Sequence, residues 1–172
     1  MNLKEPKMLK GFFQSHKDER GFLNSMLIEK LLNIDELADF DLKLQLMSYT
    51  KSENTFRGFH YQKPPAHQAK VLIVHKGKIL DIVFPTKEFS KESIQIFDLS
   101  AGDVLMIPEN YAHGFYTKSS NTILQYLLNK DFSAINYVGL NGSNFIKKLI
   151  GKDDIIISSK DKELPLIDTL EN

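Results

Sequence analysis

Short β-rich runs separated by turn-forming residues constrain the fold of this chain more than any other feature. Gly, Pro, Asn, Asp and Ser divide the runs KLQLMSY, KVLIVHKGKILDIVF, SIQIFDL, DVLMIP, GFYTK and TILQYLL. Such closely spaced strands favour an antiparallel barrel or sandwich. The 172 residues contain no internal repeat, low-complexity tract or linker, so we expect a single domain over residues 1–172.

Two local patterns add to this strand-rich interpretation. Gly77 lies between VLIVHK and KILDIV, where it predicts a β-hairpin. Apolar residues at spacings of three and four predict a short amphipathic helix between Asn24 and Phe40. After Phe132 the strand pattern weakens into a short helical or irregular stretch, followed by the strand-like DIIIS.

Charge and composition exclude several classes of partner. The 22 Lys and Arg residues are balanced by 22 Asp and Glu residues, so no positive field is available to hold a nucleic acid. The absence of cysteine excludes disulfides and thiolate zinc sites and fits a reducing compartment, so we expect a cytoplasmic protein. No apolar run approaches the roughly 20 residues of a spanning helix, and no signal-like stretch opens the sequence, so we expect a soluble protein without a membrane partner.

The five histidines do not follow the H-x-H or H-E-x-x-H spacing of common metal sites. His60 and His67 are seven residues apart across Pro64-Pro65, a spacing that permits a mononuclear metal site, although we expect none. In FRGFHYQ, Arg57 and His60 would point to opposite faces of a regular strand, so a bend or bulge near Gly58 is needed to bring both to one cavity. From spacing alone, a structural interpretation, with His60 as a hydrogen-bonded core histidine and Arg57 as a surface charge, is at least as good as a functional one.

Several segments occur in an order that resembles a known family. They are DERGF (18–22), Gln45, FRGFHYQKPPAHQAK (56–70), GKILDI from Gly77, IPENYAHGF (107–115), Tyr126 and SSKDKELP (158–165). In this order they resemble the dTDP-4-dehydrorhamnose 3,5-epimerase (RmlC) family, and the combination of R-G-x-H-x-Q with A-H-G-F is the most specific part. The resemblance implies an all-β jelly-roll barrel of the cupin type with a few short helices. It also implies a homodimer that exchanges N-terminal strands.

The resemblance further implies a role for individual side chains. His60, backed by Asp161, would be the catalytic base, Lys70 would lie near the keto oxygen, and Tyr126 would be the acid on the opposite ring face. The other matches are to substrate-binding positions, namely Arg20, Phe22, Gln45, Arg57 and His113.

The implied reaction is epimerisation at C3 and/or C5 of a nucleotide-linked 4-keto-6-deoxyhexose, by a cofactor-independent isomerase of deoxysugar and polysaccharide biosynthesis. A proton beside a ketone has a pKa of roughly 20, far above the value near 6.5 of imidazole, so no base acts alone. The enolate oxygen must be stabilised as its charge develops, and the Lys70 ammonium is the candidate for this. Asp161 would fix the tautomer of His60 and stabilise its imidazolium.

Three positions depart from the family pattern. Met47 replaces an Asn, Ser25 replaces a glutamate and Phe132 replaces a second tyrosine. Each change removes a polar partner from a nucleotide or sugar contact, so the carrier and the sugar stay open. The alternatives are a 3,4-ketoisomerase, a non-catalytic sugar-binding cupin and a metal-dependent oxygenase. The set of His60, Lys70, Tyr126 and Asp161 favours the epimerase.

Overall fold

A computed structural model describes residues 3–26, 31 and 34–167 of the chain. The strands are β1 (Lys7–Leu9), β2 (Phe13–Asp18), β3 (Gly21–Met26), β4 (Leu44–Thr50), β5 (Phe56–Gln62), β6 (Lys70–Lys76), β7 (Lys78–Pro85), β8 (Gln95–Ser100), β9 (Val104–Ile107), β10 (Tyr111–Thr117), β11 (Thr122–Leu128) and β12 (Tyr137–Gly139). The helices are α1 (Ser143–Ile150) and α2 (Ser159–Lys162), and 3-10 turns occur at Asp35–Leu37 and Lys91–Ser93.

Two five-stranded antiparallel sheets pack face to face. Sheet 1 has the order β1-β9-β6-β11-β4, and sheet 2 has the order β12-β5-β10-β7-β8. Side chains from both sheets meet in one buried cluster, to which sheet 1 contributes Leu72 and Leu124 and sheet 2 contributes Val83 and Phe115. Because side chains alternate along a strand, every second residue on these strands faces the space between the sheets. The predicted all-β jelly-roll fold of the cupin type is confirmed.

The outer face of each sheet is covered by a separate apolar layer. Leu31 and Leu37 pack against the outward side chains of β6 and β9 in sheet 1. Ile146 of α1, together with Ile155 and Ile157, covers the outer face of sheet 2. These layers bury the outer face of sheet 1 at β6 and β9 and much of the outer face of sheet 2, and the cavity described below lies between the sheets.

The hairpin formed by β2 and β3 pairs with neither sheet, although Phe13 and Met26 at its base pack against sheet 1. Its side chains are mostly exposed, including Phe22 at 53% and Leu23 at 70% of their full accessible surface. Isolated two-stranded hairpins are marginally stable in water, so this one is expected to gain stability by packing against another surface.

The helix predicted between Asn24 and Phe40 is wrong at both ends. Residues 24–26 belong to β3, where they pair with residues 13–15 of β2. At the other end, Asp35–Leu37 is a single 3-10 turn, with Leu37 buried against sheet 1. Residues 27–30, 32 and 33, which carry Leu27, Ile28 and Leu32 of the pattern, lie outside the described residues. Leu31, the described residue in this stretch, is helical and buried.

The hairpin predicted at Gly77 is also wrong. The chain bends there without turning back: β6 pairs with β9 and β11 in sheet 1, and β7 continues in the same direction and pairs with β8 and β10 in sheet 2. Gly77 therefore carries the chain across from one sheet to the other. Its φ of +95° favours glycine, and an added Cβ would clash with Thr122.

The helices are short and follow the strands of the barrel. α1 ends at Gly151, whose φ of +69° is left-handed and whose N–H donates to the carbonyl oxygen of Lys147 at 2.8 Å. α2 begins after Ser158, whose hydroxyl oxygen accepts a hydrogen bond from the N–H of Asp161 at 3.0 Å. Among the residues that the structure describes, no helix is long and apolar enough to cross a membrane.

Candidate active site

A cavity of about 570 Å³ opens between the two sheets and contains most of the predicted site residues. Its walls combine strands of both sheets with the segment that leads into α2. The lining residues are Leu46, Ser48, Thr55, Phe56, Arg57, His60, Gln68, Lys70, His113, Phe115, Tyr126, Leu128, Tyr137, Ile156, Ile157, Ser158, Lys160 and Asp161.

A β-bulge in β5 brings Arg57 and His60 to the same cavity. His60 lies opposite His113 of β10, and Arg57 lies opposite Phe115, so three residue steps on β5 match two on β10. Residues 58 and 59 together lie opposite Gly114, so the bulge is at the predicted bend near Gly58. Gly58 has a φ of +139°, and a Cβ there would overlap the Cα of Gly114, so glycine is required at this close approach.

His60 and Asp161 form a hydrogen-bonded pair at the cavity wall. Nε2 of His60 lies 3.0 Å from Oδ1 of Asp161, and the His60 side chain keeps 34% of its surface exposed while that of Asp161 keeps 8%. Burial lowers the pKa of His60, although the hydrogen bond to Asp161 opposes that shift. The imidazole is therefore neutral at neutral pH and can accept a proton.

Lys70 is buried with its ammonium facing the same cavity. It lies opposite Leu128 of β11, on the inner side of sheet 1. Its Nζ makes no hydrogen bond to any described residue. Burial lowers the pKa of Lys70 to about 8, while the negative charge of Asp81 acts to raise it. At pH 7 the cavity therefore contains a cation that lacks a hydrogen-bonding partner in the described chain.

Tyr126 approaches the cavity from sheet 1, across from His60 on sheet 2. It is opposite Leu72 of β6 and Leu46 of β4, so it shares the inner face with them. Burial raises the pKa of the Tyr126 phenol well above its usual value of 10, the charge of Asp81 adds to this, and Arg57 opposes it. The phenol therefore holds its proton throughout the physiological pH range.

His113 forms a second histidine–carboxylate pair, with Asp81 of β7. Nδ1 of His113 lies 3.3 and 3.2 Å from Oδ1 and Oδ2 of Asp81. Asp81 is fully buried, and burial raises its pKa, which His113 and Lys70 act to lower. The ring centroids of His113 and Tyr126 are 5.8 Å apart.

Arg57 is exposed where the cavity opens. Its Nε donates to Oγ1 of Thr50 at 3.2 Å, and its Nη2 donates to the carbonyl oxygen of Tyr49 at 3.4 Å. These bonds hold the guanidinium beside the cavity while leaving other N–H groups for a ligand.

Three of the predicted substrate-binding residues do not line the cavity in a single chain. Arg20 and Phe22 belong to the β2–β3 hairpin and line a separate surface depression of about 470 Å³, where Arg20 pairs with Asp18. Gln45 is exposed on β4 opposite Leu127, on the other face of sheet 1 from Tyr126.

The three departures from the family pattern lie at exposed positions. Met47 is 73% exposed and shares the outward face of Gln45. Ser25 lies on the hairpin and donates weakly to the carbonyl oxygen of Gln14 at 3.5 Å. Phe132 is 61% exposed, with its ring centroid 5.8 Å from that of Tyr137.

Sequence reasoning missed several residues at the site. The ring centroid of Tyr137 lies 5.6 Å from that of His60, and Nζ of Lys160 lies 4.9 Å from the Tyr137 ring centroid. Lys160 immediately precedes Asp161 in S-x-K-D and could have been named from that motif, as could Asp81 from GKILDI. No spacing signal pointed to Tyr137.

Gln62 and Gln68 of the FRGFHYQKPPAHQAK segment serve the surrounding loops. Nε2 of Gln62 donates to the carbonyl oxygen of Ala66 at 2.8 Å, and Nε2 of Gln68 donates to that of Lys130 at 2.8 Å. The first bond holds the loop between β5 and β6. The second, with a bond from Nε2 of Gln62 to the carbonyl oxygen of Asp131 at 3.3 Å, holds the loop that follows β11.

His67 does not join His60 in a shared site. It pairs with Glu109, with Nε2 and Oε2 separated by 2.6 Å, and does not line the cavity. In the described part of the chain, no three His, Cys, Asp or Glu side chains converge as metal ligands would. The mononuclear site that the His60 and His67 spacing permits is therefore not formed by those two residues.

Comparison with known proteins identifies the family. The two packed sheets and the cavity between them define a cupin-type jelly-roll barrel. Residues 4–169 match the sequence profile of dTDP-4-dehydrorhamnose 3,5-epimerase. The chain belongs to this family, as its motifs predicted, and the predicted enzyme class, an isomerase, is confirmed with it.

Individual relatives cover most of the chain. It is 26% identical over 158 residues to dTDP-4-dehydrorhamnose 3,5-epimerase of Sinorhizobium fredii, covering 86% of this chain and 78% of the relative. It is 28% identical over 167 residues to the Salmonella typhimurium enzyme of the same name, covering 88% and 85%. The crystal structure of the Bacillus anthracis epimerase with TDP and PPi bound superposes with a TM-score of 0.72 at 27% identity, covering 97% of each chain.

Proposed function

We propose that this chain epimerises a nucleotide-linked 4-keto-6-deoxyhexose at C3, C5 or both through an enolate, within deoxysugar biosynthesis in the cytoplasm. The observation that carries the proposal is the Lys70 ammonium, which is buried without a hydrogen-bonding partner in the described chain and shares one cavity with His60, Asp161 and Tyr126. A buried cation without a hydrogen-bonding partner is unfavourable unless a ligand oxygen accepts a hydrogen bond from it.

His60 is the proposed base. An ionised carboxylate only accepts hydrogen bonds, so Asp161 holds the hydrogen on Nε2 of His60 and leaves the lone pair on Nδ1. Nδ1 would take the proton from the carbon beside the ketone, and the negative charge of Asp161 would stabilise the imidazolium that forms.

Lys70 is the proposed partner of the ketone oxygen. As the proton leaves, negative charge moves from carbon to this oxygen, and a buried, fixed ammonium stabilises it without reorganisation. Desolvation strengthens this interaction, because the Nζ atom of Lys70 is buried and few waters screen its charge.

Tyr126 is the proposed acid. It lies on the sheet opposite His60, so a sugar ring held between the sheets would meet the base on one face and the phenol on the other. Delivery of the phenol proton to the enolate carbon from that second face inverts the carbon.

Cations at the edge of the cavity suit a diphosphate. Arg57 offers a planar guanidinium, and Lys160 adds an ammonium beside Tyr137. These groups support a nucleotide-linked substrate, while exposed Met47 and Phe132 leave the base and the sugar unassigned.

Arg20 and Phe22 are proposed to act from a partner chain in a homodimer. The hairpin that carries them projects from the barrel with exposed apolar side chains. Exchange of hairpins between two copies would bury this surface and deliver Arg20 and Phe22 to the other chain's cavity.

The reaction is tested by solvent exchange. The purified chain in D2O is given a panel of nucleotide-linked 4-keto-6-deoxyhexoses, and NMR reports deuterium at C3 and C5. We expect incorporation with at least one carrier, its loss in His60→Asn, and its retention in the control His75→Asn, because His75 pairs with Gln125 outside the cavity. Tight binding without deuterium uptake from any carrier would instead indicate a sugar-binding cupin.

Shared sites are tested by complementation. His60→Asn and Arg20→Ala homodimers, each weakly active, are mixed and allowed to exchange subunits. If Arg20 serves the partner's cavity, the mixed dimer contains one intact site and activity rises above either parent. Activity that stays at the parental mean, or a chain that sediments as a monomer, contradicts the exchanged hairpin.

A further inference from the structure

A second histidine–carboxylate pair lies next to the proposed acid. Both carboxylate oxygens of Asp81 lie within 3.3 Å of Nδ1 of His113. The His113 ring lies 5.8 Å from that of Tyr126, with an angle of 60° between the planes. Contacts therefore run from Asp81 through His113 to Tyr126, separately from the His60 and Asp161 pair.

Asp81 determines which nitrogen of His113 exchanges protons. A carboxylate accepts but does not donate, so Nδ1 carries a hydrogen directed at Asp81. Nε2 is left as the atom that can gain or lose a proton on the side of the cavity. Because Asp81 is fully buried, water does not compete for its carboxylate, and the hydrogen bond fixes this orientation of the His113 ring.

Tyr126 requires a proton after each inversion. Its phenolate would form in a buried setting near the negative charge of Asp81, and both conditions make the phenolate unfavourable. A proton donor in contact with the ring would remove the phenolate without waiting for solvent to reach it.

We propose that His113, oriented by Asp81, reprotonates Tyr126 in every catalytic cycle. This role rests on the proposed function, since it requires Tyr126 to be the acid. The phenol O–H bond breaks as its proton forms the new C–H bond on the enolate carbon. The Nε2–H proton of imidazolium His113 then passes to the phenolate, directly or through one water. Neutral His113 regains a proton from water, while His60 releases its captured proton to water.

In this cycle His113 acts through Tyr126 and is a positioning and relay residue. A different role, as a hydrogen-bond donor to the sugar, would slow every turnover equally. The relay predicts instead that the first turnover, for which Tyr126 already holds its proton, is faster than those that follow.

The test is rapid-quench kinetics of inversion in His113→Ala, with Asp81→Asn as a second variant that keeps the side-chain volume. We expect a burst close to one product per site, followed by turnovers at least about tenfold slower, with no such burst in the wild type. Added imidazole should accelerate only the slow phase of His113→Ala. Equal slowing of the first and later turnovers would overturn the relay. So would a slow phase of His113→Ala that imidazole does not accelerate, together with the absence of a burst in Asp81→Asn. Absence of inversion in the wild type would instead contradict the proposed function.

Discussion

His60 and Tyr126 reach one cavity from opposite sheets of the barrel. His60 is on β5, brought inward by the bulge at Gly58, and Tyr126 is on β11, on the inner face of sheet 1. The jelly-roll provides this opposition because its two sheets pack face to face. A substrate ring between them can therefore lose a proton on one side and gain one on the other.

Replacement of Lys70 by methionine is expected to stabilise the fold and inactivate the enzyme. A pKa that falls from 10.5 to about 8 corresponds to roughly 3 kcal/mol of unfavourable burial of the ammonium. The unfolded chain binds this proton more tightly, so the penalty is complete below pH 8 and fades as pH rises toward 10.5. Urea unfolding of Lys70→Met should show a gain of about 1–3 kcal/mol at pH 7 that shrinks by pH 10. The exposed Lys76→Met on the same strand is the control, and an equal gain there would contradict the assignment.

The alkaline limb of activity is expected to follow Lys70. In the proposed mechanism the Lys70 ammonium stabilises the enolate, so kcat/KM should fall as pH rises through about 8. The charge of Asp81 raises the pKa of Lys70, so Asp81→Asn should move this limb to lower pH. The check is a pH profile of deuterium exchange for both proteins. A limb that stays in place in Asp81→Asn argues against electrostatic coupling of the two side chains.

Gly58→Ala is expected to disrupt the site and the fold together. The substitution meets a left-handed φ of +139° and a steric overlap with Gly114, and we expect a loss of more than about 2 kcal/mol in the free energy of unfolding. Gly151→Ala is the matched control, because its φ is +69° but no atom lies within 4 Å of the added Cβ. Its cost should be about 1 kcal/mol. Similar losses in the two variants would show that the close packing at Gly58 is unimportant.

The sequence was informative wherever local chemistry controls structure. Short β-rich runs between turn-forming residues predicted β4, β6, β7, β8, β9, β10 and β11. The conflict between Arg57 and His60 on a regular strand located the bulge near Gly58. The motif resemblance named the four side chains proposed as catalytic, and all four line the cavity. Their roles stay predictions.

The features that the sequence did not predict depend on strand pairing between residues far apart in the chain. The turn at Gly77 looks like a hairpin locally, yet β6 and β7 join different sheets because each finds partners distant in the chain. Residues 24–26 pair with β2 instead of forming a helical turn. Tyr137 reaches His60 only through the pairing of β12 with β5, which no local pattern encodes.

The most direct test of the central claim is the configuration of the deuterated sugar produced by Tyr126→Phe. If His60 removes the proton and Tyr126 returns one to the other face, the variant should still incorporate deuterium at C3 or C5 but with configuration retained. Its inversion rate should fall by at least about 100-fold. Inversion by Tyr126→Phe at the wild-type rate would contradict a phenol and an imidazole acting on opposite faces of one ring.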